Sequence, residues 1–314
     1  MKEFQQEELI SFIILTYKNF DGIYDTLDSV FIQDYPFIEL IISDDGSPNA
    51  GQFLPDIETY IEKHKRENIV NVAIITSEKN EGTVKSANKA YKLAKGAYIK
   101  DLGADDTLRD SHTLTRFKEF LDESGCLICF SKLQGVTVQG KLKKHLASCE
   151  DDYELLSSYT PLQLRDRLFR RNCLPAPCLF LKKELLDKYG YFKEDTRLIE
   201  DYPYWIYLCT QGVKIAFLDE RLVNYRLSGV SSAGSYSRMF MDDMLVIYDK
   251  YIFPYDKRFG IFQPFYNRLK CGGLHAYIAL ADWGSYSITD KVKALLKYGI
   301  FFVYIKAGNA IHNG

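Results

Sequence analysis

The chain of 314 residues carries almost no net charge, with 40 basic against 42 acidic side chains, which excludes a global electrostatic attraction to nucleic acid. It lacks a long hydrophobic run: the longest, near Tyr298 to Ile305, falls far short of the roughly 20 residues that a membrane span needs. Its opening stretch, MKEFQQEELI, has no basic region followed by an apolar one, so no signal peptide is expected. Glycine-rich phosphate cradles are missing as well. There is no GxGxxG after the first apolar run and no GxxxxGKS/T, so a dinucleotide oxidoreductase and a P-loop enzyme both lose their anion-binding loop. The few histidines, His64, His112, His145, His275 and His312, do not cluster.

The seven cysteines, Cys126, Cys129, Cys149, Cys173, Cys178, Cys209 and Cys271, are odd in number and mostly embedded in apolar runs. That pattern fits reduced, buried thiols of a cytosolic protein better than a disulfide framework. Cys126 and Cys129 form a CxxC, but within the strand-like GCLICFSKL and with no second CxxC at zinc-ribbon spacing, so structural thiols are expected.

What is present is 46% apolar content, enough for one large core or a core plus an appendage. Strand and helix signals alternate through the first half. SFIIL (11–15), IELIIS (38–43), VNVAIIT (70–76) and residues 97–102 read as strands, the first two as continuous apolar runs of the kind buried on both faces. Between them, Ile23, Leu27, Val30 and Phe31 recur at helical spacing, residues 52–66 read as a charged surface helix, and Thr83 to Lys95 as a helix capped by Gly96. Short connections between such elements imply right-handed crossovers and a largely parallel sheet. Residues 126–133 read as a further strand, 134–172 as a polar, irregular connection, Lys183 to Tyr189 as a helix, and 197–212 as a carboxylate pair followed by an apolar helix. Residues 214–231 read as a strand, a turn and a second short strand. Beyond about 235 the segments turn helical and rich in aromatics.

IKDLGADDTL (99–108) places Asp101, Asp105 and Asp106 within six residues. Such crowding marks either a solvated turn or ligands for a hard cation. Ligands of parallel sheets bind beyond the carboxyl ends of the strands. That rule puts Thr16–Tyr17, Asp44–Asp45 and Asp105–Asp106 along one crevice, suited to a metal and the anion it carries.

The pieces SFIILTYKN, SVFIQDYPFIELIISDDGS, NEGTVKSANKA, KGAYIKDLGADD, YGYFKEDTRLIEDYPYW and LDERLVNYR, over roughly residues 10–231, resemble in kind and order the family-2 glycosyltransferases. These are inverting enzymes of the GT-A fold that transfer sugars from nucleotide diphosphates. The resemblance implies an α/β, mostly parallel sheet flanked by helices, with a catalytic domain over 1–235 (nucleotide-sugar half about 1–110, acceptor half about 111–235) and a helical C-terminal appendage over 236–314. It places Thr16 and Tyr17 at the nucleobase, Asp45 as acceptor for the base with Asp44 beside it, and Asp105 and Asp106 at the ribose and a Mn²⁺ or Mg²⁺ ion bridging the diphosphate. Asp201 becomes the general base, with its neighbour Glu200 as the alternative for that role. Arg226 reaches the diphosphate or is a surface arginine on a hairpin.

Where the family has proline and asparagine this chain has Leu15 and Lys18; Gly103 replaces the first aspartate of the usual LDSDD, and Ser228 a frequent histidine. The function implied is transfer of a hexose or N-acetylhexosamine from a UDP-sugar to a glycan or lipid-linked acceptor of a capsule or other surface polysaccharide. The alternative is a degenerate GT-A domain that binds nucleotide-sugar without turnover. A sugar-nucleotide pyrophosphorylase would need a glycine- and arginine-rich first loop, which TYKNFDG is not. Residues 290–309 set Lys291, Lys293, Lys297 and Lys306 around an aromatic, apolar body. Such a helix either docks on an anionic membrane at the inner face of the plasma membrane or packs on the catalytic domain.

Overall fold

The apolar run expected to be buried on both faces forms β1 (Ile10–Thr16), with Ile10, Phe12, Ile13 and Ile14 fully excluded from solvent. This computed structural model describes residues 8–137, 140–143, 153–227 and 237–256, together with 264–265, 267–272, 274 and 292. After β1 come α1 (Ile23–Phe31), β2 (Ile38–Asp44), α2 (Ala50–His64), β3 (Ile69–Thr76), α3 (Thr83–Leu93) and β4 (Tyr98–Gly103). Next are β5 (Thr107–Leu108), α4 (Thr113–Ser124), β6 (Ile128–Val136), β7 (Leu142–Lys143), α5 (Tyr153–Leu156), α6 (Pro161–Leu168), β8 (Leu179–Lys182) and α7 (Lys183–Tyr189). The described chain closes with α8 (Asp201–Thr210), β9 (Ala216–Arg226) and α9 (Arg238–Ile247), the last continued by a π-helical turn at Tyr248–Ile252.

The strands form one sheet in the order β3-β2-β1-β4-β8-β6-β9-β5, with β7 on β6. The stretch β3-β2-β1-β4 is parallel; β8 runs antiparallel between β4 and β6, and β9 returns parallel to β6. The chain moves outward from β1 to β3 and then crosses back to β4 on the other side of β1. Crossovers therefore part at β1 and β4, which opens a crevice at their carboxyl ends. The helices cover the sheet with their apolar stripes: Ile23, Leu27, Val30 and Phe31 of α1, and Val84, Ala87, Ala90 and Tyr91 of α3, are buried.

Two expectations are corrected. Helix α3 ends at Ala94 in an extended conformation, so Gly96 is not its cap. Gly96 is required because a Cβ there would stand 2.6 Å from the Leu9 carbonyl oxygen and 2.7 Å from the Ser11 nitrogen. Among the described residues of the 214–231 stretch there is no turn between two strands. β9 is one strand of 11 residues, and Asp219 and Glu220 are absorbed where its register against β6 shifts between Ser131 and Leu133.

One hydrophobic cluster runs through the whole body, from Ile10 of β1 to Trp205 of α8 and on to Ile247, Tyr248 and Ile252. The described part of the 236–314 region thus shares the core of the sheet. The described cysteines are thiols, buried except for the half-buried Cys271. Ser228, Cys149, His145, His275, His312 and, in the 290–309 segment, Lys291, Lys293, Lys297 and Lys306 lie outside the described residues. None of the described helices is long and apolar enough to cross a membrane.

Candidate active site

The loops after β1, β2 and β4 are knitted together by their backbones. The Asp45 amide donates to the Thr16 carbonyl at 2.9 Å and the Ala104 amide to the Leu15 carbonyl at 3.0 Å. Lys18 holds a left-handed conformation, φ +58°, and its amide donates to Ser47 Oγ at 2.8 Å. Its ammonium lies 4.9 Å from the centre of the Tyr17 ring, which is 39% exposed at the mouth of the crevice. Thr16 is buried, its hydroxyl donating to the Asn19 carbonyl at 3.3 Å.

Asp44 and Asp45 are both buried, and both carboxylates already accept hydrogen bonds from the chain. Asp44 accepts from the Ser47 amide (3.0 Å), the Ser47 hydroxyl (2.5 Å) and Thr76 Oγ1 (2.7 Å), closing its own turn. Asp45 accepts from Asn80 Nδ2 (2.9 Å) and from the amides of Glu81 (2.9 Å) and Gly82 (2.8 Å). Its primary partner is therefore the 80–82 loop, and a base would bind in addition to these three donors. Gly82, at φ +98°, lets that loop touch Arg197, whose carbonyl oxygen would be 2.5 Å from a Cβ.

Asp106 is only 3% exposed and accepts from the Arg226 amide at 2.9 Å. Burial pushes its carboxyl up to about 8, the neighbouring Asp105 charge adds to this, and the Arg226 amide and the Lys100 charge oppose it. Asp105 Oδ1 and Asp106 Oδ2 lie 3.6 and 3.8 Å from where a Cβ on Gly103 would stand, so the pair flanks the position that lacks its aspartate. Gly22, just before α1, backs this loop, since a Cβ there would come 2.7 Å from Asp105 Cβ. The fully buried Lys100 donates to the Pro177 carbonyl at 2.7 Å and to the Asp101 carbonyl; burial lowers its pKa, the charges of Asp101 and Asp106 oppose that, and its own charge favours the ionised forms of both. Arg226 turns its guanidinium away from them to Asp25 of α1, Nη2 to Oδ2 at 2.6 Å. Its contact with the acidic pair is made by its backbone.

The second carboxylate pair opens α8. Asp201 Oδ1 accepts from the Tyr202 amide at 2.6 Å and Oδ2 from Asn172 Nδ2 at 2.8 Å. Burial raises Asp201 to about 6, with these two donors opposing and the charge of Asp101 adding. Glu200 is pushed well above the usual carboxylate range by burial and by the charge of Asp201. The two carboxyls are neighbours whose like charges disfavour joint ionisation, so the pair shares its titration. Asp101, which the sequence left without a role, lies on β4 beside the buried Tyr91 hydroxyl and within electrostatic reach of both.

Asn172, Lys100 and Asn80 escaped the sequence reading. Asn172 stands among arginines in the polar connection, and no spacing marks it as a partner of α8.

Among the described residues, no group of three or more His, Cys, Asp and Glu side chains can by itself hold a metal ion. Asp105 and Asp106 offer oxygen ligands from two carboxylates, the number from which Mg²⁺ is held when substrate phosphates complete its shell. As hard oxygen donors on adjacent residues, with Oδ1 of one and Oδ2 of the other both near the open Gly103 position, the two carboxylates fit such an ion.

Residues 11–190 match the model of the family described as glycosyl transferase family 2. An uncharacterized glycosyltransferase of Methanocaldococcus jannaschii is 26% identical over 225 residues, 70% of this chain and 71% of that one. The poly(ribitol-phosphate) beta-glucosyltransferase of Bacillus spizizenii is 31% identical over 168 residues, 52% of this chain but 25% of the longer enzyme. In Escherichia coli, WfaP, a UDP-Glc:alpha-D-GlcNAc-diphosphoundecaprenol beta-1,3-glucosyltransferase, is 38% identical over 99 residues, 32% of this chain and 36% of that one. Among solved structures, S. aureus TarS 1–349 in complex with UDP-GlcNAc superposes with a TM-score of 0.60 at 20% identity, covering 93% of this chain and 80% of that one. The Pyrobaculum calidifontis mannosyltransferase PcManGT in complex with GDP-Man and Mn²⁺ does so at 0.56 and 16% identity, covering 99% and 84%. These likenesses show the fold, an α/β GT-A architecture, and the family match over more than half of its length makes this chain a member of glycosyl transferase family 2.

Proposed function

We propose that the protein is an inverting glycosyltransferase that moves a hexose or N-acetylhexosamine from a UDP-sugar to a glycan or lipid-linked acceptor in surface polysaccharide synthesis. The observation that carries this reading is Asp201. It is a carboxylate fixed by Asn172 and the Tyr202 amide at the start of α8, raised by burial to about 6 and within electrostatic reach of Asp101 on β4, the strand that leads to Asp105 and Asp106.

In this mechanism the Tyr17 ring stacks on the uracil beside Thr16, and the acceptor capacity left on Asp45 Oδ1 takes the base N–H. Asp44 keeps the turn in shape, and Asp105 meets the ribose. Asp106 with Asp105 would hold Mn²⁺ or Mg²⁺, which would supply positive charge to neutralise the departing diphosphate. Asp201 takes the proton of the acceptor hydroxyl as its oxygen attacks the anomeric carbon. The bond from that carbon to the diphosphate oxygen breaks, UDP leaves with the electron pair, and the configuration inverts. Arg226 orients Asp106 through its amide.

The UDP-GlcNAc complex of TarS supports the donor class, and the Mn²⁺ in PcManGT supports the ion. The lipid diphosphate acceptor named for the Escherichia coli relative supports a lipid-linked acceptor; we infer from such an acceptor a cytoplasmic enzyme peripheral to the membrane, for which the lysine-rich sequence of 290–309 is suited.

The test is UDP release from a panel of nucleotide-sugars with Mn²⁺, Mg²⁺ or EDTA, in the presence of lipid-linked acceptors. Release with a UDP-sugar and a divalent ion is the expected result. Tight UDP binding without release from any donor and acceptor would favour the second reading, a binding-only domain, for which Gly103 speaks.

A further inference from the structure

The segment leading into Glu200–Asp201 is held from beyond residue 237. On α9 the buried carboxylate of Asp243 accepts from three consecutive backbone amides: Arg197 at 2.9 Å on Oδ1, and Leu198 at 2.6 Å and Ile199 at 3.1 Å on Oδ2. In the π-helical turn, Lys250 Nζ and the Tyr251 hydroxyl bind the two oxygens of Asp195 at 2.5 and 2.7 Å. Arg197 also reaches the donor side. Its Nη2 donates to the Asn80 carbonyl (3.0 Å) and Oδ1 (2.8 Å), and Asn80 in turn donates to Asp45. The Val84 amide at the start of α3 donates to the Arg197 carbonyl at 3.2 Å.

Successive amides converging on one point form an anion nest, and here the chain's own side chain fills it. A loop ordered this way loses conformational freedom that would otherwise spread the side chains at its end over many poses. We propose that Asp243 is a positioning residue of the transfer reaction: by holding the 197–199 amides it sets the pose of Glu200 and Asp201 and ties them, through Arg197 and Asn80, to the Asp45 wall of the donor side. The proposal rests on the reading of Asp201 as the base. It makes α9, which follows the last stretch of family resemblance, part of the catalytic apparatus.

The test uses the full chain with Asp243→Asn, Asp243→Ala and the control Met241→Ala, whose buried side chain is on the same helix. Asparagine keeps the size and replaces an acceptor oxygen with a donor facing the amides. In both Asp243 variants, amide exchange at 197–199 and at 200–202 is expected to accelerate about tenfold or more. The turnover number should fall by about tenfold to a hundredfold while the Kd for UDP stays within about twofold. Met241→Ala should lower thermal stability yet keep both protection and turnover. Unchanged exchange at 200–202, unchanged turnover in Asp243→Asn, or the same losses in Met241→Ala would overturn the proposal. Should Asp243→Ala fail to fold, Asp243→Asn decides. If the wild type transfers no sugar, the transferase reading falls by itself, and the exchange arm still shows whether Asp243 holds the pair.

Discussion

The side-chain amide of Asn172 donates to Asp201 Oδ2 across 2.8 Å, joining the polar connection before β8 to the first residue of α8. The same oxygen pair also takes the Tyr202 amide, so the carboxylate is fixed at both ends. A base held this firmly is ready for the proton it removes.

Replacing Asp201 by Asn is therefore expected to lower turnover by about 10²- to 10⁴-fold while UDP binding survives. Calorimetry with UDP separates the two effects; loss of UDP binding would remove Asp201 from this role. In Asn172→Ala the donor that opposes the upward shift of Asp201 is gone, so the acid limb of the rate profile, near 6 in the wild type, should move to higher pH. An unmoved limb would show that the Asn172 bond does not act on the base.

Asp106 links stability to pH. Its folded-state carboxyl is raised from 3.8 to about 8, so its contribution is complete below the unfolded value and is lost as pH rises through about 8. Without a divalent ion, melting temperature should fall across that window beyond what Asp106→Asn shows. Mn²⁺ with UDP favours the ionised form, so the thermal shift they produce should grow with pH. A shift independent of pH would place the ion elsewhere.

Gly103→Asp has room for its side chain, since the nearest oxygens to a Cβ are those of Asp105 and Asp106, at 3.6 and 3.8 Å. A third carboxylate at that point should tighten Mn²⁺ binding by about tenfold or more and destabilise the metal-free protein. Metal titration of the two proteins measures the first effect and thermal melts the second.

Lys18 occupies a left-handed backbone conformation at φ +58° that asparagine tolerates better. Lys18→Asn is expected to stabilise the protein by about 0.5–1 kcal/mol, the relief being partly offset by loss of the ammonium over Tyr17. Chemical denaturation reads this directly, and a lower midpoint would mean that the cation–π contact outweighs the strain.

Much of the sheet is legible in the sequence because its signals are local. A strand buried on both faces must be apolar throughout, so SFIIL and IELIIS announce β1 and β2 by themselves. Helices with one buried stripe show it as a period, as α1 and α3 do. Asp44–Asp45 and Asp105–Asp106 follow strand ends in the sequence, and the crossover rule alone brings them to one edge. The turn expected within 214–231 is replaced by a register shift at Asp219 and Glu220, because a bulge and a turn draw on the same polar residues and only pairing with β6 distinguishes them.

What the amino-acid order determined by itself was therefore the α/β class, the crevice and its acidic walls. Tertiary structure decided which groups those acids meet. Lys100 brought its charge to Asp101 and Asp106, Arg226 turned to Asp25, Asn172 reached Asp201, and Asp243 took the amides of 197–199. Each of these contacts except those of Lys100 spans tens of residues of chain. A single side chain carries no period and no spacing, so such pairings exist only once the core has brought the elements together.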